Sequence, residues 1–192
     1  MLFRSPTRLG ERLTRVVLGL RERLFPAKAN LAATAALEHF TATWAEMALT
    51  QEREHHAHPV IADLMAWHAL EETEHKAVAF DVYRAVGGGE RMRVWTMRVV
   101  RVGFSLALFV QTFLSLLGDR ATYRPGVLRA SLRLFRSNPL VGPWVRERLK
   151  DYDRPDFHPD DHDTSAVLDE WREALFGETG TLNHRLATQD AA

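Results

Sequence analysis

Four side chains in one short stretch are of types that bind metal ions, at spacings that a helix turns to one side. In Trp67-His68-Ala69-Leu70-Glu71-Glu72-Thr73-Glu74-His75, the residues His68, Glu71, Glu72 and His75 fall at i, i+3, i+4 and i+7, positions that share one helical face. Trp67, Leu70, Ala77 and Val78 flank the stripe, so some of its polar groups are expected to face inward. Buried carboxylates and imidazoles are costly unless they are paired or bound to a cation. Glu72 and His75 form a Glu-x-x-His pair. In four-helix bundles such a pair presents a carboxylate and, one turn on, an imidazole to the same metal, and a Glu from a neighbouring helix completes that half of the site. Glu38 is the best-placed further Glu, because Thr34, Ala35, Thr41 and Ala42 stand at one-turn spacing and leave room beside it. The expected metal ligands are therefore Glu38, Glu72 and His75. His68, Glu71 and His39 are expected to orient those ligands from outside the coordination sphere. His39 points about 100° away from Glu38 on a helix, so the two do not easily bind one ion. A lone Glu-x-x-His arises often by chance. Two plainer readings stay open: Glu38 paired with an Arg or His, and Glu72 and His75 on a solvated, salt-bridged face.

The elements that must position these residues are helical. The helical period dominates and no alternating strand pattern stands out, so the chain is expected to be all-α, a partial ferritin-like helical bundle. A first, basic amphipathic helix is expected over residues 8–24, with Leu9, Leu13, Val16, Leu20 and Leu24 on one face. A second starts at Asn30 as N-cap and runs to about Arg53; a third runs from Pro59 to about Val86 and ends at Gly87-Gly88-Gly89. These two long helices with a short connection suit an antiparallel pair. A fourth helix covers about 90–117. Residues 102–118 within it carry no charge, at the lower limit of a membrane span of about 17–25 residues. That stretch reads as a buried bundle or oligomer-interface helix, with membrane contact through residues 94–117 as the alternative. Shorter helices are expected at 127–136, 143–150 and 164–176. His55, His56 and His58 read as exposed linker residues. His158 and His162 with Asp160, Asp161 and Asp163 look metal-like, but read more simply as a turn that caps the last helix through Asp163. The expected organisation is a single helical metal-binding domain over residues 1–176 and a loose tail over 177–192.

Composition narrows the chemistry further. The 192 residues include no cysteine, so any metal must be held by Glu, Asp or His, which suits Fe, Mn or Zn in a mononuclear or dinuclear centre. The absence of cysteine is compatible with a reducing cytoplasm, the expected location, with membrane association as an addition. The net charge of zero hides blocks. Residues 31–75 carry eight acidic and one basic side chain together with six of the nine histidines; residues 76–150 carry fourteen basic and four acidic. The basic block could meet an anionic surface or pair with the acidic ones. Nucleic acid is not an expected partner, because no reader motif or aromatic-basic interleaving is present. The N-terminus does not read as a secretory signal, since its apolar run is too short. No Gly-x-Ser-x-Gly, P-loop, dinucleotide fingerprint or His-Glu-x-x-His occurs, so nucleophilic serine or cysteine catalysis has no support.

Three blocks in order resemble a bacterial family of predicted metal-dependent hydrolases. They are Ala35-Ala36-Leu37-Glu38-His39-Phe40-Thr41-Ala42, the run from Trp67 to Tyr83, and the Arg154-Pro155-Asp156-Phe157-His158-Pro159 core of the segment from Tyr152 to Asp163. The resemblance covers most of the chain. It implies a ferritin-like bundle, a metal centre, and Glu38, Glu72 and His75 as ligands. The family pattern also implies another Glu and another Glu-x-x-His nearer the N-terminus, and nothing equivalent precedes Glu38. Either the second half-site is missing or two copies pair about a two-fold axis, each donating Glu38, Glu72 and His75. A homodimer is the expected assembly. The expected activity is metal-dependent hydrolysis; the alternatives are a di-iron oxidoreductase and a non-enzymatic, membrane-associated helical protein.

Overall fold

The computed structural model describes residues 15–16, 19–20, 23–50 and 58–183. Of the helix expected over 8–24, residues 15, 16, 19, 20, 23 and 24 are helical, with Val16, Leu20 and Leu24 exposed; Leu9 and Leu13 lie outside the described residues, as do His55 and His56.

The chain is an all-α helical bundle, with no strand among the described residues. Its centre is α1 (Ala27–Thr50), packed by α2 (Pro59–Glu74), α3 (Val78–Ala85) and α4 (Glu90–Gly118), and further by α6 (Pro143–Asp151) and α7 (Ser165–Phe176). A helix contacted from so many sides must be buried nearly all round. The sequence allows this through Ala32, Ala35, Ala36, Ala42 and Ala45, whose small side chains let neighbouring backbones approach. The helix begins directly after Pro26 rather than at Asn30. The Ala29 and Asn30 amides donate to the Pro26 carbonyl, and Asn30 Nδ2 donates to the Phe25 carbonyl, so Asn30 works within the first turn.

The third expected helix is two helices. It breaks at His75–Ala77, between α2 and α3, without a proline or glycine to mark the place. The Val78 amide donates to the His75 carbonyl, a tight four-residue turn. Lys76 leaves the helix line to donate to the His162 carbonyl and to Thr164 Oγ1, 3.1 Å away. The break thus coincides with a tertiary contact to a segment 86 residues downstream. At the other end Gly87, at φ 73°, and Gly88 stop α3 as the glycine run implies; a side chain at Gly88 would sit 2.4 Å from the Tyr83 ring.

Two polar devices close the body on one flank of α1. Arg93 of α4 is fully buried; it donates to the carbonyls of Tyr152 and Arg154 and pairs with Glu90. His39 lies among Tyr152, Phe157 and His162. The main core joins α1 to Phe80, Met97, Val145, Leu149, Tyr152 and Phe157. Beyond Phe104 the chain leaves this body. Residues 105–137, which include the second half of α4 and α5 (Val127–Ser137), contain no buried residue. The chain returns beside the point where it left: Trp44 packs on Phe104 and its Nε1 donates to the Leu140 carbonyl. Among the described residues, none covers the uncharged part of α4 beyond Phe104.

The tail expected from residue 177 is tied down as far as Asn183. The Leu182 amide donates to the Leu175 carbonyl, Asn183 Nδ2 donates to the carbonyls of Phe176 and Gly177, and Leu182 packs against the cluster of Ala66, Leu70, Leu168 and Leu175. Residues 184–192 lie outside the described residues.

Candidate metal centre

Antiparallel packing of α1 and α2 sets Glu38 and Glu72 on facing helices. Thr41, one turn after Glu38, donates its hydroxyl to Glu72 Oε2 at 2.7 Å. Across the helix break, the Ala79 amide donates to Glu38 Oε2 at 3.0 Å. That amide belongs to the first turn of α3, where backbone N–H groups have no partner inside the helix and a carboxylate is favoured by the helix dipole. The break at His75–Ala77 therefore creates the donor that fixes Glu38. One oxygen of each carboxylate is anchored, and the second oxygen of each is left for another partner.

The electrostatics bind these groups into one set. The Glu38 carboxyl is raised above the usual carboxylate range, chiefly by burial and further by the nearby Glu72 charge; the Ala79 amide and His75 pull in the opposite direction. A buried carboxyl raised in part by a neighbouring carboxylate marks a place where a cation is favoured. His68 Nε2 stands 3.8 Å from Glu72 Oε1. His75 caps the end of α2, its amide donating to the Glu71 carbonyl, and its side chain is exposed. Glu71 is half-buried beside it.

The inward orientation expected for this stripe holds only in part. Leu70 is buried, whereas Trp67 and Val78 are exposed, and the Glu72 side chain retains a third of its accessibility. Ile61, Leu64 and Met65 share the helical face of His68, Glu72 and His75, and all three are exposed. Val82 and Val86 continue the exposed apolar surface along α3. Among the described residues no three His, Asp or Glu side chains converge closely enough to hold an ion. Chemically the donors suit a borderline divalent cation; geometrically this chain offers an open face, not a closed cage.

The structure places the remaining polar candidates elsewhere. His39 turns to a different side of α1, where its Nε2 lies 3.2 Å from the Arg148 carbonyl and burial lowers its pKa to about 4. Glu46 pairs with Arg148 at 2.5 Å. His58 caps α2 by accepting from the Val60 amide. His158 caps the 3-10 turn Pro159–Asp161 and bonds Asp81 of α3 at 2.8 Å, and His162 bonds Asp151 at 3.1 Å. Asp163 accepts from the amide and hydroxyl of Ser165 at the start of α7, one residue ahead of the N-cap Thr164, whose own side chain makes no cap bond. Sequence patterning does not single out the Thr41 hydroxyl, the Ala79 amide or Lys76. The nearest signal for Thr41 is its place one turn from Glu38 on the small-residue face.

A family model described as predicted metal-dependent hydrolase matches residues 4–163. No curated protein and no solved structure matches the chain. The matched span contains Glu38, Thr41, Glu72, His75 and the segment from Tyr152 to Asp163, and it covers most of the 192 residues. The chain belongs to the predicted metal-dependent hydrolase family.

Proposed function

We propose that this protein is a metal-dependent hydrolase whose centre is assembled from two copies of the chain, each contributing Glu38, Glu72 and His75. The observation that carries this is the position of Glu72 and His75: they are partly or wholly accessible, in the middle of an exposed apolar stripe formed by Ile61, Leu64, Met65 and Val78. A solvated salt-bridged face has no need of that apolar surround. An isologous interface does, because it buries the same patch on both subunits and brings each set of ligands against its symmetry mate.

Within such a site the chain's own residues have defined tasks. Thr41 and the Ala79 amide hold one oxygen each of Glu72 and Glu38, which limits carboxylate rotation before any ion arrives. Glu38 Oε1, Glu72 Oε1 and the His75 imidazole would hold the ion. His68, 3.8 Å from Glu72 Oε1, would help to orient that carboxylate. A divalent ion held this way supplies Lewis acidity toward water and toward the scissile group. The apolar stripe would exclude bulk water from the closed interface.

Metal analysis on species of defined mass tests this. The expected result is one or two ions per dimer and none per monomer, with loss of metal in Glu72→Ala and His75→Ala. Metal bound to the monomer, or metal content unchanged in both variants, would overturn it. Bridged iron seen by optical or Mössbauer spectroscopy would redirect the chemistry to a di-iron oxidoreductase. Zinc with ester or phosphoester turnover would support hydrolysis.

A further inference from the structure

We infer that the arm formed by α4 and α5 docks the protein on an anionic lipid bilayer, with both helices lying along the membrane surface. On α4, Trp95, Val99, Val102, Leu106, Phe109 and Phe113 recur at alternating spacings of four and three residues, so they form one stripe along the helix. All six are exposed, from 51% for Phe113 to 69% for Val102. Phe104 lies on the other side and packs against Phe40 and Trp44, so the stripe faces away from the body. The second helix of the arm repeats this design at shorter range. On α5, Leu128, Leu132 and Phe135 share one exposed face, and Arg129, Arg133 and Arg136 stand along its edge. A basic amphipathic helix with an apolar face is the pattern of segments that lie in a membrane interface.

Charge and aromatic placement select the occupant. Residues 105–138 carry five arginines and one acidic residue, Asp119. Among the described residues none of Arg120, Arg124, Arg129, Arg133 and Arg136 is paired with a carboxylate. A second copy docked arm to arm would set these arginines against their own mates, and no acidic residue lies between Glu90 and Asp119 to relieve them. Anionic lipid headgroups supply the missing charge and the acyl layer covers the apolar stripe. Trp95 and Tyr123, 68% and 67% exposed near the two ends of the apolar run, are the aromatic types that settle at the lipid–water boundary. At the root of the arm a cleft of about 320 Å³ adds Arg146 and Lys150, beside an Arg101 that is paired with Asp153, above an apolar floor of Phe40 and Leu149. The chain leaves and returns beside Trp44. A tip-first insertion would carry Arg120 and Arg124 into the hydrocarbon, so the arm lies flat.

Co-sedimentation of the full chain with vesicles of phosphatidylcholine, alone or mixed with phosphatidylglycerol, tests this. Binding is expected to the mixed vesicles, to fall with added salt and to be weak on phosphatidylcholine alone. The triple variant R129S/R133S/R136S should lose about 100-fold in partition, and F109S/F113S should lose binding as well. These side chains are exposed, so unchanged circular dichroism and thermal unfolding are expected and keep the loss attributable to docking. Equal binding to both vesicle types, or none to either, would overturn the inference. So would a dimer that dissociates in F109S/F113S without lipid, since a second copy would then cover the arm. Loss of the dimer through the α2–α3 face leaves this inference standing, because the arm takes no part in it.

Discussion

Glu38 and His39 are neighbours in α1, yet they open onto regions of opposite character. On the His39 side the polar groups are nearly all answered within the chain: His39 meets the Arg148 carbonyl, Arg148 meets Glu46, and Arg93 meets two carbonyls and Glu90. Aromatic rings of Tyr152 and Phe157 close over them. On the Glu38 side each carboxylate has one anchored oxygen, the imidazoles are exposed, and apolar side chains surround them without cover. Buried polar groups serve stability when they are fully paired. Where pairing stops halfway inside an apolar rim, the arrangement is better explained by what it could bind.

The difference is sharpest in the response to losing one partner. Arg93→Met should cost about 3–5 kcal/mol, the range for breaking a buried charge network from one side. It would leave the Tyr152 and Arg154 carbonyls without their donor and Glu90 without one of its partners. Urea unfolding followed by tryptophan fluorescence measures this. A cost near zero would mean that the closed flank is held by ring packing alone.

Acid should act on the same flank. The His39 pKa is lowered to about 4 by burial, and burial also lowers that of His162. The unfolded state therefore takes up protons before the folded state does, between about pH 6.5 and 4. Stability contributed by neutral His39 is fully present above that window and is lost as pH falls through it, by about 3 kcal/mol for a shift of this size. Glu38 acts in the opposite sense: its raised pKa favours the protonated folded form, and that contribution is lost as pH rises. The clean measurement is the difference between wild type and His39→Gln across the window. Parallel stability curves would show that His39 does not carry the effect.

The two flanks were unequally legible in the sequence. The starts of α4, α6 and α7 and the end of α5 are written locally, in Gly89, Pro143, Asp163 and Asn138. The pairing of α1 with α2 follows from two long helices and a short link. Glu38, Glu72 and His75 could be singled out because helical spacing alone decides which side chains share a face, although spacing did not reveal how open that face is. The helix break at His75 could not be read, because the contacts that accompany it, Lys76 to the His162 carbonyl and the Ala79 amide to Glu38, join segments far apart in the chain. Nor could the burial of Arg93, which looks like any other member of a basic block until Tyr152 and Arg154 fold over it. Long-range contacts of this kind leave no periodic trace.

Glu38 should separate structure from binding on the open flank. Glu38→Ala removes the acceptor at the first turn of α3 and should cost about 1–2 kcal/mol, the range for losing a helix N-cap. Glu38→Gln keeps an oxygen for the Ala79 amide and should recover most of that stability while still removing the metal-binding charge. Thermal unfolding of the two variants beside wild type gives the comparison. Equal loss in both would mean that charge, not the hydrogen bond, holds the turn.

Glu72→Gln should have the smallest effect on folding and thereby the most to say about function. The side chain is a third exposed, and its amide can still accept from Thr41. Its charge also disfavours ionised Glu38. Neutralising it should therefore shift stability by no more than about 0.5 kcal/mol, in either direction. If the open flank were a solvated polar face, nothing else would change. If it is half of a shared centre, the same substitution should abolish stoichiometric metal and weaken the dimer, because two copies then bring four rather than six anionic or imidazole donors to the interface. Metal content and mass measured on a variant that folds as well as wild type therefore decide between an open face and an unfinished one.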